Sequence, residues 1–122
     1  MANISQKLKW AGIILILATG LIHGVEAPEA FDEIMYKGIL FSLNAVGALI
    51  AAFGIRQNKK GLGWGLGFAV AAGSFIGYVL SRTVGLPGLP PEPDAWFEPL
   101  GVASLVVEGL FVVVFLKAIR LK

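Results

Sequence analysis

Apolar residues along this chain fall into four runs, separated by short stretches that hold nearly all the charge. The runs are Leu8 to about Val25, Ile34 to Ile55, Leu62 to Leu80 and Pro99 to Leu116. Each comes close to the ~20 residues needed to cross ~30 Å of hydrocarbon at about 1.5 Å per residue. Backbone N–H and C=O groups inside lipid must be satisfied within the segment, so the runs are read as helices. The pattern predicts an all-α, integral membrane, four-transmembrane-helix bundle. It forms a single domain over residues 1–122, with helices at about 8–25, 32–56, 62–82 and 98–118.

Composition sharpens the picture. The 122 residues are 57% hydrophobic and 15% charged, whereas soluble domains carry roughly 25% charged residues. Mean hydropathy is +0.80. There is no Cys, which excludes a disulfide framework, a thiolate metal site and a Cys nucleophile. Lys7 and Lys9 ahead of an apolar run, with "VEA" as a cleavage site, also resemble a signal peptide. Pro28 just after the cut suits a peptidase poorly, so the segment is read as the first helix.

Charge sets an expected orientation. Lys7 and Lys9, then Arg56, Lys59 and Lys60, then Lys117, Arg120 and Lys122 lie at one set of connections with no acid among them. Glu26, Glu29, Asp32, Glu33, Glu92, Asp94 and Glu98 lie at the other, against Lys37 and Arg82. The positive-inside rule places both termini and "RQNKK" in the cytoplasm of a multi-pass protein of the cell (inner) membrane. An even number of spans requires the same arrangement of termini.

Punctuation suggests where the helices stop. Gly24 is expected to end helix 1, with Pro28 in the first turn of helix 2 and Glu29, Asp32 and Glu33 near its positive dipole end. Pro99 should open helix 4, and Gly85 should follow the end of helix 3. Trp10, Trp64 and Trp96 are expected near the two interfaces as an aromatic belt. In "GLGWGLG" no strand precedes the glycines, so a nucleotide loop is set aside. Gly63/Gly67 and Gly73/Gly77 are GxxxG pairs, predicting close helix approach or a self-associating face, with Gly47, Ala48, Ala51 and Ala52 acting similarly on helix 2.

Ionisable and polar residues inside the spans are the candidate chemistry, because each is costly in hydrocarbon. Thr19, His23 and Glu26 share one stripe of helix 1 at about 100° per residue. Asn44 sits ~15 Å from the end of helix 2. Ser74, Tyr78, Ser81 and Arg82 descend helix 3, and Glu98, Ser104 and Glu108 descend helix 4. Glu108, within "SLVVEGLFVVVF", has no Lys or Arg at its depth and must face the interior, with Asn44 as its expected hydrogen-bond partner. Converging stripes would line an outward cavity, with ligand-binding candidates His23, Glu26, Asn44, Tyr78, Arg82, Glu98 and Glu108. Arg82 and Glu98 are expected to meet at its mouth, with Gly85, Pro87, Pro90 and Pro91 restricting the hairpin between them.

"LFSLNAVGA", "GYVLSRTVGLPG" and "EPLGVASLVVEGLF" resemble segments of small, uncharacterised four-helix membrane proteins of bacteria and archaea. In that pattern a His closes the first helix, a Pro-Glu pair opens the second and an acid lies in the fourth. The matching residues are His23, Pro28 and Glu29, Arg82, Glu98 and Glu108, and the resemblance covers most of the chain beyond residue 20. It implies the fold and the residue list only. Where such relatives carry a further His, this chain has Ala30 and Phe31.

Three function classes follow. A cavity with His23, Glu98 and Glu108 could hold a divalent metal ion through N/O ligands, bind a proton or a small polar ligand, or serve transport. A structural or assembly subunit would use the GxxxG faces for a homo-oligomer or a larger membrane complex. An enzyme acting on a lipid headgroup would use His23 as base and Arg82 as anion clamp, but HExxH, GxSxG and aspartate-rich motifs are absent, so an enzyme is not favoured. One His cannot supply bis-His ligation, so no haem is expected. The expected surroundings are a lipid bilayer, and no nucleic acid is expected as partner.

Overall fold

The computed structural model describes residues 5–120; Lys122, counted above among the basic residues, lies outside the described residues. Four long helices make up the bundle: α1 (Gln6–Glu33), α2 (Met35–Arg56), α3 (Leu66–Arg82) and α4 (Pro99–Arg120). A π-helical turn, Lys60–Gly65, leads directly into α3, so the third apolar segment is continuous from Lys60 to Arg82. All four segments are long and apolar enough to cross a membrane. Ser5 starts α1, its hydroxyl accepting the Leu8 N–H at 3.1 Å, as an N-cap side chain does.

The first helix does not end at Gly24. It runs 28 residues, ~42 Å at 1.5 Å per residue, and carries Pro28 inside it. A proline removes one N–H and presses its ring on the carbonyl four residues back; here that residue is Gly24, and helices in apolar surroundings tolerate both residues. The chain reverses at a single extended residue, Ile34 (φ −163°, ψ 142°). So tight a turn needs small residues at the crossing. A Cβ on Gly38 would lie 2.2 Å from the Phe31 ring, and one on Gly20 would lie 2.6 Å from the Ala48 methyl.

At the end carrying Arg56 and Lys117 the bundle is solid. Ile13, Ile16, Ala48, Ala51, Ala52, Ile55, Trp64, Phe111 and Ala118 pack there as one apolar core. Trp64 turns into the bundle: it is 2% exposed, stacks on Phe111 at 5.8 Å and covers Gly12. It is drawn in because α2 and the π-helical turn touch backbone to backbone, where a Cβ on Gly54 would lie 2.6 Å from the Gly63 nitrogen.

The segment between α3 and α4 folds back over the opposite end. Leu86 and Leu89 exchange backbone hydrogen bonds of 3.1 and 2.8 Å around Pro87 and Gly88. Proline second and a glycine of φ +75° third is the type II turn arrangement. Gly85 (φ +88°) likewise occupies the left-handed region. The Tyr36 hydroxyl donates to the Pro87 carbonyl, tying the hairpin to the start of α2.

Candidate functional site

Between the helices at the acidic end lies a cavity of about 800 Å³. Six of the seven sequence-predicted residues stand on its wall: His23, Glu26, Asn44, Tyr78, Arg82 and Glu98. Glu108 and Thr19 do not. Both are fully buried behind the floor, which Ser104 and His23 form.

Each position follows from local structure. On α1, the Thr19 hydroxyl bonds back to the Leu15 carbonyl at 3.1 Å, and the Thr19 carbonyl accepts from His23 Nδ1 at 2.9 Å. That bond places the ring proton on Nδ1 and turns Nε2 toward Glu108 Oε2, 3.8 Å away. Phe41 of α2 holds the imidazole edge-on at 4.9 Å. One turn along α4, the Ser104 hydroxyl donates to Glu108 Oε2 at 2.5 Å. The expected Glu108–Asn44 bond is absent; Asn44 Nδ2 instead donates across the bundle to Ser74 Oγ, whose own hydroxyl donates to Val70 O at 2.7 Å. Asn44 Oδ1 and Glu108 Oε1 are buried without a hydrogen-bond partner among the described residues. Such acceptors are costly to leave unpaired.

At the mouth, Arg82 is held from four sides. It donates to Ser81 Oγ at 2.8 Å, to Ala95 O at 3.3 Å and to Glu98 Oε1 at 3.0 Å. Its guanidinium also lies 3.7 Å from the centre of the Tyr78 ring. Tyr78 in turn donates to the Trp96 carbonyl at 2.6 Å, and its ring sits where a Cβ on Gly101 would stand. The hairpin is thereby fixed to α3, with Arg82 and Glu98 meeting as the sequence suggested.

Sequence reasoning missed Glu29, Glu33, Tyr36, Lys37, Leu86 and Glu92, which also line the cavity. The first four flank the α1–α2 turn at Ile34, a region read from Gly24 and Pro28 as the start of the second helix. The Glu33–Lys37 spacing was the available signal: the two pair at 2.8 Å. In total the wall presents five carboxylates, Glu26, Glu29, Glu33, Glu92 and Glu98, and two basic side chains, Lys37 and Arg82. Both bases already have a carboxylate partner. Among the described residues Glu26, Glu29 and Glu92 have no ion-pair partner.

The metal set His23, Glu98 and Glu108 is not assembled. Among the described residues no three His, Asp or Glu side chains are grouped to hold a metal. Of the three, only His23 and Glu108 face one another, and Glu98 turns to Arg82 at the mouth. The glycine pairs divide as well. Gly63 and Gly67 are packed against the α2 backbone and Phe111, but a Cβ on Gly73 or Gly77 would meet nothing within 4 Å, and both line the cavity.

Comparison with protein-family models, with curated proteins and with solved structures finds no match to this chain.

Proposed function

We propose that this is a multi-pass membrane protein that binds a cation in a cavity opening on the outer side of the cell membrane, with both termini in the cytoplasm. The observation that carries this reading is the charge imbalance of the wall. Among the described residues three carboxylates of the wall have no ion-pair partner, while both basic side chains there already have one. A pocket of one sign, walled by low-dielectric helices, concentrates ions of the opposite sign. The apolar core closes the basic end, which supports a binding pocket in preference to a water-filled pore.

The test is equilibrium binding of ethylammonium, guanidinium, K⁺ and Mg²⁺ to the protein in lipid nanodiscs. A triple variant Glu26→Gln, Glu29→Gln, Glu92→Gln serves as comparison. At least one cation should bind saturably, and the variant should weaken it by about tenfold or more, equivalent to ~1.4 kcal/mol. Absence of binding by all four, or equal affinity in the variant, would overturn the proposal.

A further inference from the structure

The cavity wall is not polar all round, and its apolar part is open in an unusual direction. We propose that the ligand is an amphiphilic primary amine, with its ammonium held among the mouth carboxylates and its alkyl tail lying between α2 and α3. This rests on the cation reading above and names the class of cation.

The tail is argued from the α2–α3 side. Leu40 and Leu43 line the cavity yet are 57% and 60% exposed, so this wall also faces the surroundings of the bundle, which for four apolar spans is hydrocarbon. Opposite them α3 presents Gly73 and Gly77, with open space where side chains would stand. From Arg82 down to Ala69, the deepest α3 residue on the wall, is ~20 Å at 1.5 Å per residue. A small hydrated cation would leave this slot wet, at about 25 cal/mol per Å² of apolar surface. An alkyl chain fills it and can enter sideways from the bilayer.

The amine is argued from the acceptors. Glu26, Glu29 and Glu92 stand on the wall with no ion-pair partner among the described residues. Carboxylates gain most from a charged donor. An ammonium N–H supplies charge and proton together; a quaternary ammonium brings the charge without the proton. The Gly73/Gly77 strip would equally suit a helix of a second copy, but a second copy brings the same excess of carboxylates to the same mouth.

The experiment measures radiolabelled dodecylamine binding to the protein in phosphatidylcholine nanodiscs, with empty discs subtracted. One saturable site per chain is expected. Butylamine and dodecyltrimethylammonium should each compete more weakly by about tenfold or more. Gly77→Leu, which fills the slot, should weaken binding to a similar extent, and so should the Glu26→Gln, Glu29→Gln, Glu92→Gln variant, which removes the acceptors. Either variant binding dodecylamine as tightly as the unaltered chain would overturn the part of the proposal it tests. Butylamine binding as tightly as dodecylamine would remove the tail and leave the cation reading standing. Equal binding of dodecyltrimethylammonium would remove the donor requirement. No binding by any amine or by the four small cations would remove both readings. A Gly73→Cys chain, its only thiol, that crosslinks quantitatively to a second copy would assign the slot to a dimer instead.

Discussion

Glu108 is the most deeply placed charge-bearing side chain of the bundle, and its surroundings do little for it. It is fully buried, accepts one hydroxyl from Ser104, faces His23 at 3.8 Å and leaves Oε1 unpaired. One hydroxyl and one imidazole do not compensate the desolvation of a carboxyl, and exchanging such groups for apolar ones of similar volume is often neutral or stabilising. Ser104 would not be stranded by such an exchange, since a serine on a helix can turn its hydroxyl to the carbonyl four residues back, as Ser74 does. Glu108→Leu is therefore expected to keep the melting temperature in detergent or raise it. A fall of several degrees would mean that the Ser104–Glu108–His23 contact holds the helices together. Because Glu108 lies behind the floor and not on it, the same variant should leave cation binding unchanged.

Among the helices, one sequence motif has two opposite structural meanings. Gly63 belongs to a GxxxG pair that fulfils the usual expectation, with α2 backbone where its Cβ would stand, 2.5 Å from the Ile55 nitrogen. Gly77 belongs to an identical pair, and a Cβ there would meet nothing within 4 Å. Backbone cannot yield the way a flexible side chain can, so Gly63→Ala must force α2 and the third segment apart. It is expected to lower the melting temperature by roughly 5 °C or more, taking a cost of about 1–3 kcal/mol for overpacking, while Gly77→Ala should leave it unchanged. Equal effects of the two substitutions would contradict the assignment of one pair to packing and the other to the cavity. The four spans were legible in the sequence because span length is a property of each segment alone. Which face of a span meets which neighbour was not, since that is decided between segments. Trp64 packs in the core, a contact the sequence did not indicate; Asn44 was paired with Glu108 and bonds Ser74 instead. Pro28 misled for a related reason. Its cost is one missing hydrogen bond, which the burial of Ala27 and Ala30 and the ring of Phe31 over Gly38 outweigh only once α2 is in place.

For the molecule as a whole, the two ends differ in every respect that matters to function. One end is closed by Ile55, Trp64, Phe111 and Ala118, and its connections carry only basic residues. The other holds the cavity and an excess of carboxylates. Basic connections resist translocation whereas acidic ones contribute little to orientation, so the distribution of Lys and Arg alone decides which way the cavity faces. The chain has no Cys, so single thiols can report that choice. Gln57→Cys lies in the basic connection between α2 and the third segment, and Asp94→Cys in the hairpin over the cavity; both positions are exposed. In intact cells a membrane-impermeant maleimide should label Asp94→Cys, and Gln57→Cys only after lysis. The reverse pattern would turn the acidic mouth to the cytoplasm, and any ligand would then have to be sought among cytoplasmic cations or in the inner leaflet. Equal labelling of both sites in intact cells would indicate that both orientations coexist, a result that the basic termini and α2–α3 connection, with no acid among them in the sequence, argue against.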